Sequence, residues 1–311
     1  MRYRFAKTRN GGQKGQISMA KGMFRRAVSD AEQLATASRQ EGEDYVLFSY
    51  PDYDTYRKVQ EAGNKAKLGA QYVKKSHIFF LARHLTEALG QVGFGLCHGV
   101  RRGKEQAWFR RVLKGAEVIG TDISETATQF PNTVQWDFHE PNPAWAGKAD
   151  FVYSNSWDHA YDPGKAFRAW VESLKPGGVL LLDHSAGHQP RTTNALDPFG
   201  ATEAGLMRIL AESCGDLGQV SGVLDRSTEA DYPCRVVVFT RSAVTAEAQV
   251  PAAAKTARPK AAAKPKPAPA PKAEARPKAE AKAKPAPKAT VKAKAAPKAK
   301  AATAKAGTST G

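Results

Sequence analysis

The stretch FGLCHGVRRGKEQAWFRRVLKGAEVIGTDIS, residues 94–124, decides the fold. An apolar run at 92–97 reads as a strand. It passes into a turn carrying Gly95, Gly99 and Gly103, and a helix-forming segment, 104–113, follows at once. A second apolar run, 116–122, ends in Asp122, 23 positions beyond Gly99. Glycines without a Cβ let backbone approach a ligand closely, and the free N–H groups of a helix start favour negative charge. A carboxylate at the tip of the second strand, about 20 residues past such a turn, is placed to accept hydrogen bonds from ribose hydroxyls. The plain alternatives are a steric glycine turn and a capping aspartate. The spacing favours the ligand but leaves open which adenosine cofactor is held.

The pattern continues outward. Further strand-like runs fall at 133–138, 150–154, 178–183, 218–224 and 235–240, with helical segments at 162–173 and 202–213. Strands alternating with helices predict an α/β domain, a mostly parallel sheet covered on both faces. The last two runs, GQVSGVL and RVVVFT, lack a helix between them and predict a terminal antiparallel hairpin. Upstream, Ile17–Arg39 reads as an amphipathic helix, YVLFS at 45–49 as a short strand, and 54–68 and 73–89 as helices, the latter stopped by Gly90. The expected organisation is a helical cap over 1–90, the α/β domain over 91–245 and a disordered tail over 246–311.

The third strand adds to the site. VQWDF places Asp137 and Phe138 at its end, where a carboxylate accepts an adenine amino proton and an aromatic ring contacts the base. ADFVYSNSWDH (149–159) then leads to Tyr161–Asp162–Pro163 and a helix, and LKPGGVLLLDHS (174–185) feeds a Pro-Gly-Gly turn into a buried strand. A nicotinamide-dependent dehydrogenase predicts a stricter Gly-x-Gly-x-x-Gly and leaves Asp137 and LKPGG without a role.

Across about 150 residues this run resembles the class I S-adenosylmethionine-dependent methyltransferases. The LCHGxRxGxE form of the first motif, EAGNKAKL (61–68) and QWDFHEP (135–141) are similar to a subset of microbial domains often associated with glycan synthesis. The resemblance implies a Rossmann-like sheet of seven strands and S-adenosylmethionine as cofactor. It implies binding through Gly95, His98, Gly99, Arg101 and Gly103 of the first motif. Asp122 and Ile123 would lie on the ribose side, and Asp137 and Phe138 on the adenine side. Asn155 would hold cofactor or acceptor. Arg101 stands where the family has glycine, and its guanidinium is placed to pair with the cofactor carboxylate. The implied reaction is methyl transfer to a small-molecule or glycan acceptor. The alternative is a catalytically silent module of this fold, recruited to nucleic acid by a basic tail.

In-line methyl transfer draws its rate from alignment, with a general base where the acceptor must lose a proton. Base candidates at strand C-termini are His139, Asp158, His159, Asp183 and His184. His159, Asp158 and His184 form the expected catalytic set, His159 first because it follows the fourth strand and titrates near neutrality. Trp157 is expected to border the acceptor pocket. His184 and His188 have the i, i+4 spacing of a helical metal pair, but Gly187 and Pro190 argue against a helix there, and no metal is expected.

Composition sets the remaining bounds. Of the 47 Lys/Arg and 30 Asp/Glu, 16 and 2 fall in 251–311, so the tail carries +14 of the net +17. This Ala/Lys/Pro tail has ten prolines and no aromatic residue. It has too little apolar surface to offset the entropy of ordering. Its lysines suit a spacer, or a tether to nucleic acid or an anionic membrane surface. Cys97, Cys214 and Cys234 are too few and scattered for a disulfide framework or zinc site. No secretory signal is read at the N-terminus, and the run around 78–82 is too short to span a bilayer. A cytoplasmic location is expected.

Overall fold

The structure, a computed structural model, describes residues 38–243 together with Arg26, Ser29, Asp30, Ala31 and Gln33. The tail predicted over 246–311 and most of the helix predicted over 17–39 lie outside these residues. Where described, 26–33 is helical, but Ser38–Glu41 is a strand, so the helix does not extend to Arg39.

Among the described residues, β1 (Ser38–Glu41) and β2 (Tyr45–Ser49) precede helices α1 (Tyr53–Ala66) and α2 (Lys75–Leu89). There follow β3 (Phe94–His98), α3 (Lys104–Val112), β4 (Glu117–Asp122), β5 (Thr133–Gln135), β6 (Ala149–Ser154) and α4 (Pro163–Ser173). The chain then forms β7 (Leu174–His184), β8 (Phe199–Ala201), α5 (Glu203–Cys214), β9 (Gly218–Arg226) and β10 (Cys234–Arg241).

Seven strands form one sheet in the order β5-β4-β3-β6-β7-β10-β9. Pairing is parallel from β5 to β7, and β10 runs antiparallel to both β7 and β9. This is the expected Rossmann-like sheet with its terminal hairpin. The chain winds outward from β3 to β5, then returns to place β6 on the other side of β3. The tips of β3 and β6 therefore flank the switch point at which open α/β sheets bind ligands.

Period-two alternation in β7 shows why its run is continuously apolar. Val179 and Leu181 face a core with Ile78, Leu85 and Phe109 under α2 and α3. Leu180 and Leu182 face Phe167, Trp170 and Phe199 under α4 and α5. A strand covered on both faces needs no polar face. Caps set the helix starts. Asp52 accepts from Thr55 N at 2.7 Å, Asp162 from Lys165 N at 3.0 Å with Pro163 opening α4, and Thr202 from Gly205 N at 3.0 Å.

Three details differ from expectation. A second sheet, β1-β2-β8, is antiparallel, and Tyr45–Leu47 pair with Phe199–Ala201. The N-terminal segment is thus stitched into the domain by main-chain bonds. β5 stops at Gln135 rather than 138, and Asp137 sits in the following loop. β7 starts at Leu174, which pairs with Ala149, and the ladder shifts register before Val179 pairs with Phe151. The Pro-Gly-Gly segment is therefore an irregularity within a strand, with Gly177 at φ +79°.

Trp170 is 1% exposed and its Nε1 donates to Phe138 O at 2.8 Å. Trp170→Ala removes this core and orphans a buried carbonyl. Urea denaturation should show a loss of about 3–5 kcal/mol.

Candidate functional site

A cavity of about 360 Å³ opens beyond the tips of β3 and β6, within the range of small-molecule sites. Its first wall is the glycine turn. Gly99, at φ +71°, is a close approach, because a Cβ there would lie 2.4 Å from Ser156 Cβ. Ser156 Oγ donates to Gly99 O at 3.0 Å and ties the tips of β3 and β6 together. Arg101 follows at φ +47°, an uncommon left-handed conformation for a residue with a Cβ. Its N–H donates to Asp122 Oδ2 at 2.9 Å, and its Nη1 donates to Lys67 O at 3.1 Å while the guanidinium lies over Tyr72.

Asp122 also accepts from Ser124 N at 3.0 Å and Asn64 Nδ2 at 2.7 Å. Burial raises its pKa, opposed by these bonds and by the charge of Arg101. Three donors leave room for one more on a carboxylate with about four lone-pair sites. Asp137 is similar. Its Oδ1 accepts from His139 N and Nδ1, and its Oδ2 from Tyr53 Oη at 2.8 Å. Burial would raise its pKa, but the bonds and charge of His139, with the bond from Tyr53, hold it below the ordinary carboxylate value. Both carboxylates line the same cavity, as do His98, Gly99, Arg101, Ile123, Phe138 and Asn155.

Gly95 and Gly103 do not line it. Gly95 lies inside β3, where a Cβ would meet the Phe151 ring at 2.1 Å. Gly103 starts α3 at φ +65°, facing Gln106 and Thr133. Both are steric glycines.

At the other end, His159 Nδ1 donates to Gln60 Oε1 at 2.8 Å and approaches Leu196 O at 3.2 Å. Gln60 Nε2 donates to Leu196 O at 3.0 Å, which fixes the amide orientation and hence the ring tautomer. Nε2 is left as an acceptor, 3.6 Å from Asp197 Oδ1. Lys67 Nζ lies 3.2 Å from the same oxygen. Burial lowers the pKa of His159, against the charge of Asp158, and leaves the ring neutral at neutral pH. Asp158, its pKa pushed up to about 6 by burial, has a buried Oδ1 without a hydrogen-bond partner among the described residues. Asp158, His159 and Asp197 bring ligand atoms within 4.8 Å of one another. The Lys67 ammonium already supplies a cation there.

Of the five base candidates, Asp158 and His159 face the cavity and three do not. Because β7 keeps its ladder through His184, Asp183 and His184 point to opposite faces of the sheet. Asp183 is fully buried and bonded to His77, Tyr153 and Tyr232, while His184 Nε2 donates to Ala201 O at 2.9 Å. His139 is buried against Tyr161. Trp157 does not border the pocket. It is fully buried, stacks on His188 and donates to Asp183 O at 2.6 Å. His188, set aside in the sequence with the metal pair, does line the cavity.

The sequence reading placed a helical cap over 1–90 and quoted EAGNKAKL, but named no site residue in α1. Tyr56, Gln60, Gly63, Asn64 and Lys67 line the cavity at helical spacing. The available signal was a pair of amides, Gln60 and Asn64, interrupting an apolar stripe. Asp197 was missed as well, and Glu105, which ends the LCHGxRxGxE form, was given no role.

Residues 96–182, under a third of the chain, match a family model described as a methyltransferase domain. No curated protein matches the chain. Among solved structures, it is similar to a Burkholderia thailandensis 1,6-didemethyltoxoflavin-N1-methyltransferase with S-adenosylhomocysteine bound. Identity is 16% and the TM-score 0.47, with 66% of this chain and 100% of that one covered. It is also similar to the N-methyltransferase NodS of Bradyrhizobium japonicum, in complex with S-adenosylhomocysteine. Identity there is 14% and the TM-score 0.44, over 58% and 98% of the two chains. No helix among the described residues is long and apolar enough to cross a membrane.

His98 provides a check on the site. Its ring stacks on Trp170 at 5.0 Å, its Nδ1 bonds Thr121 Oγ1 at 2.8 Å, and burial pushes its pKa down to about 3. A lowered pKa means the neutral form persists as pH falls. Ring ¹⁵N NMR should show His98 still neutral at about pH 4.5, where an ordinary histidine is protonated.

Proposed function

We propose that this chain is an S-adenosylmethionine-dependent methyltransferase acting on a small-molecule or glycan acceptor. The observation that carries the reading is the convergence of Asp122 and Asp137 on one cavity at the sheet's switch point, each with acceptor capacity to spare. Asp122 holds the ribose, Asp137 with Phe138 holds the adenine, and Gly99 gives the backbone its close approach. The match of residues 96–182 to a methyltransferase domain supports the same reading. When bound, S-adenosylmethionine supplies a methyl group on a sulfonium, open to in-line attack.

The chain's own part is alignment and proton handling. Gln60 fixes the tautomer of His159, so Nε2 accepts a proton from the acceptor's hydroxyl or amine. Asp197, 3.6 Å away, stabilises the imidazolium, and Lys67 balances Asp197. The walls from α1 and from 196–197 keep bulk water from the acceptor. Nothing in the geometry favours a silent module: the Arg101 side chain lies over Tyr72, and the cavity persists beside it.

Two measurements test this. Calorimetry with S-adenosylhomocysteine should give saturable heat with wild type and a clear loss of affinity with Asp122→Ala; absence of heat with wild type would sink the reading. Labelled cofactor with fractionated cell extract should identify the acceptor. With that acceptor, His159→Asn should lower kcat by about 10²–10⁴ while cofactor affinity stays within about twofold. Because burial lowers the His159 pKa, the wild-type rate should hold near neutral pH and fall only in the acid range, as Nε2 becomes protonated.

The tail, with +14 of charge in 251–311, is proposed to tether the domain to polyanionic surfaces such as nucleic acid. Filter binding of DNA should weaken steeply between about 50 and 200 mM salt for the full chain. It should be lost on removal of 251–311, with S-adenosylhomocysteine affinity unchanged.

A further inference from the structure

Asp158 is a cavity-lining charge to which the proposed mechanism gives no part. Its Oδ1 is buried and receives no hydrogen bond from the described residues. Burial pushes its pKa up to about 6, with the charge of Asp197 adding to the rise and those of His159 and Lys67 opposing it. The group is therefore an anion at neutral pH and above. A buried carboxylate oxygen without a donor costs stability, so its complement is a donor that arrives with a ligand.

The groups around it are acceptors too. Asp158, His159 and Asp197 bring ligand atoms within 4.8 Å of one another. His159 Nε2 is an acceptor because Nδ1 carries the proton given to Gln60. Asp197 is already served, by Lys67 Nζ at Oδ1 and by Asn194 Nδ2 at Oδ2. His188 has no capacity left. Its Nδ1 accepts from Ser185 N at 3.0 Å, so Nε2 carries the proton and donates to Asn155 O at 3.0 Å. Two acceptors of this cluster are thus open, the Asp158 carboxylate and His159 Nε2, while the Lys67 ammonium is engaged by Asp197.

That pair distinguishes nitrogen from oxygen as the attacking atom. Two acceptors about 2.9 Å from one nitrogen, at a tetrahedral angle, lie about 4.7 Å apart. A primary amine meets both with its two N–H groups and keeps its lone pair for the methyl carbon. A hydroxyl has one hydrogen. Given to His159, it leaves an oxygen lone pair facing the Asp158 anion. Carboxylate and phosphate acceptors bring further negative charge to the same group.

We propose that the acceptor is a primary amine, held by one N–H on Asp158 and the other on His159 Nε2, and that it is methylated once. The assignment rests on the methyl-transfer reading above and adds Asp158 to it as the residue that selects nitrogen over oxygen. The amine attacks as the free base. A C–N bond forms as the C–S bond of the sulfonium breaks, with that electron pair staying on sulfur. The resulting secondary ammonium passes one proton along its existing hydrogen bond to His159 Nε2. This leaves a neutral N-methylamine and an imidazolium beside Asp197. The product has a single N–H where the site offers two acceptors, and this ends the reaction at one methyl.

The test uses the full chain, methyl-labelled S-adenosylmethionine and a small-molecule cell extract. Half of the extract is treated with N-hydroxysuccinimidyl acetate to acylate its amines, then with hydroxylamine to free any acylated hydroxyls. Label uptake should be lost from the treated half; equal uptake in the two halves overturns the proposal. Mass spectrometry of the product should show a single methyl on nitrogen. A methyl on oxygen, or a dimethylated nitrogen, also overturns it. Calorimetry on the chain loaded with S-adenosylhomocysteine then measures binding of the amine so identified. Asp158→Asn should weaken that binding about tenfold or more, with S-adenosylhomocysteine affinity within about twofold of wild type. Unchanged amine affinity contradicts the assignment, and so does an equal loss of both affinities, which marks a structural role. Uptake in neither half, with S-adenosylhomocysteine still bound, refutes methyl transfer and the amine together. Absence of S-adenosylhomocysteine binding refutes the cofactor reading itself.

Discussion

The site depends on a carboxylate that folding buries. Asp122 closes β4 with 6% of its surface exposed, and a buried carboxylate must find donors or take up a proton. It finds them in three places: the Arg101 N–H from the glycine turn, the Ser124 N–H from its own strand's exit, and the Asn64 amide from α1. One acid thereby ties the first strand's turn, the second strand and the N-terminal helix together. The Asn64 bond is why α1 belongs to the site and not to a loose cover. Thr126 bonds the other side of that amide at 3.1 Å and fixes which end faces Asp122.

A similar coupling orders the opposite end. Gln60, one turn before Asn64 on α1, holds His159 and the 196–197 loop at once. The antiparallel sheet carries the same connection in main chain, since β2 of the N-terminal segment pairs with β8, which directly follows that loop. The Asp122 end and the His159 end of the cavity are therefore both referenced to a single helix, at positions 60 and 64.

How much of this the sequence carried follows from the range of each signal. The alternation of strands and helices is local and was legible, as were the two acids, because a strand tip and a glycine turn are recognisable from neighbours alone. β1 and β8 were not legible, being four and three residues long, and β8 finds its partner, β2, in the other half of the chain. His184 was misplaced by a single residue of strand length. Kept in the ladder opposite Arg235, it obeys the period-two rule and turns under α5 rather than outward. Asp197 escaped notice, and Glu105, quoted in the LCHGxRxGxE form, was given no role, for different reasons. Asp197 lies in an irregular loop. Glu105 reads as an ordinary acid in a helix's first turn, where the dipole welcomes negative charge. Only its burial and its Oε2, which receives no hydrogen bond from the described residues, separate it from that default.

The departure at Arg101 bears on the same point. A left-handed backbone conformation costs an ordinary residue roughly 1–2 kcal/mol relative to glycine. The turn needs that conformation to aim the 101 N–H at Asp122, so glycine would be the less strained choice. What the arginine adds is a positive charge beside Glu105, which opposes the burial of that carboxylate and helps bring its pKa to about 7 rather than higher. Arg101 is thus at once a strained position in the turn and a charge beside a buried acid.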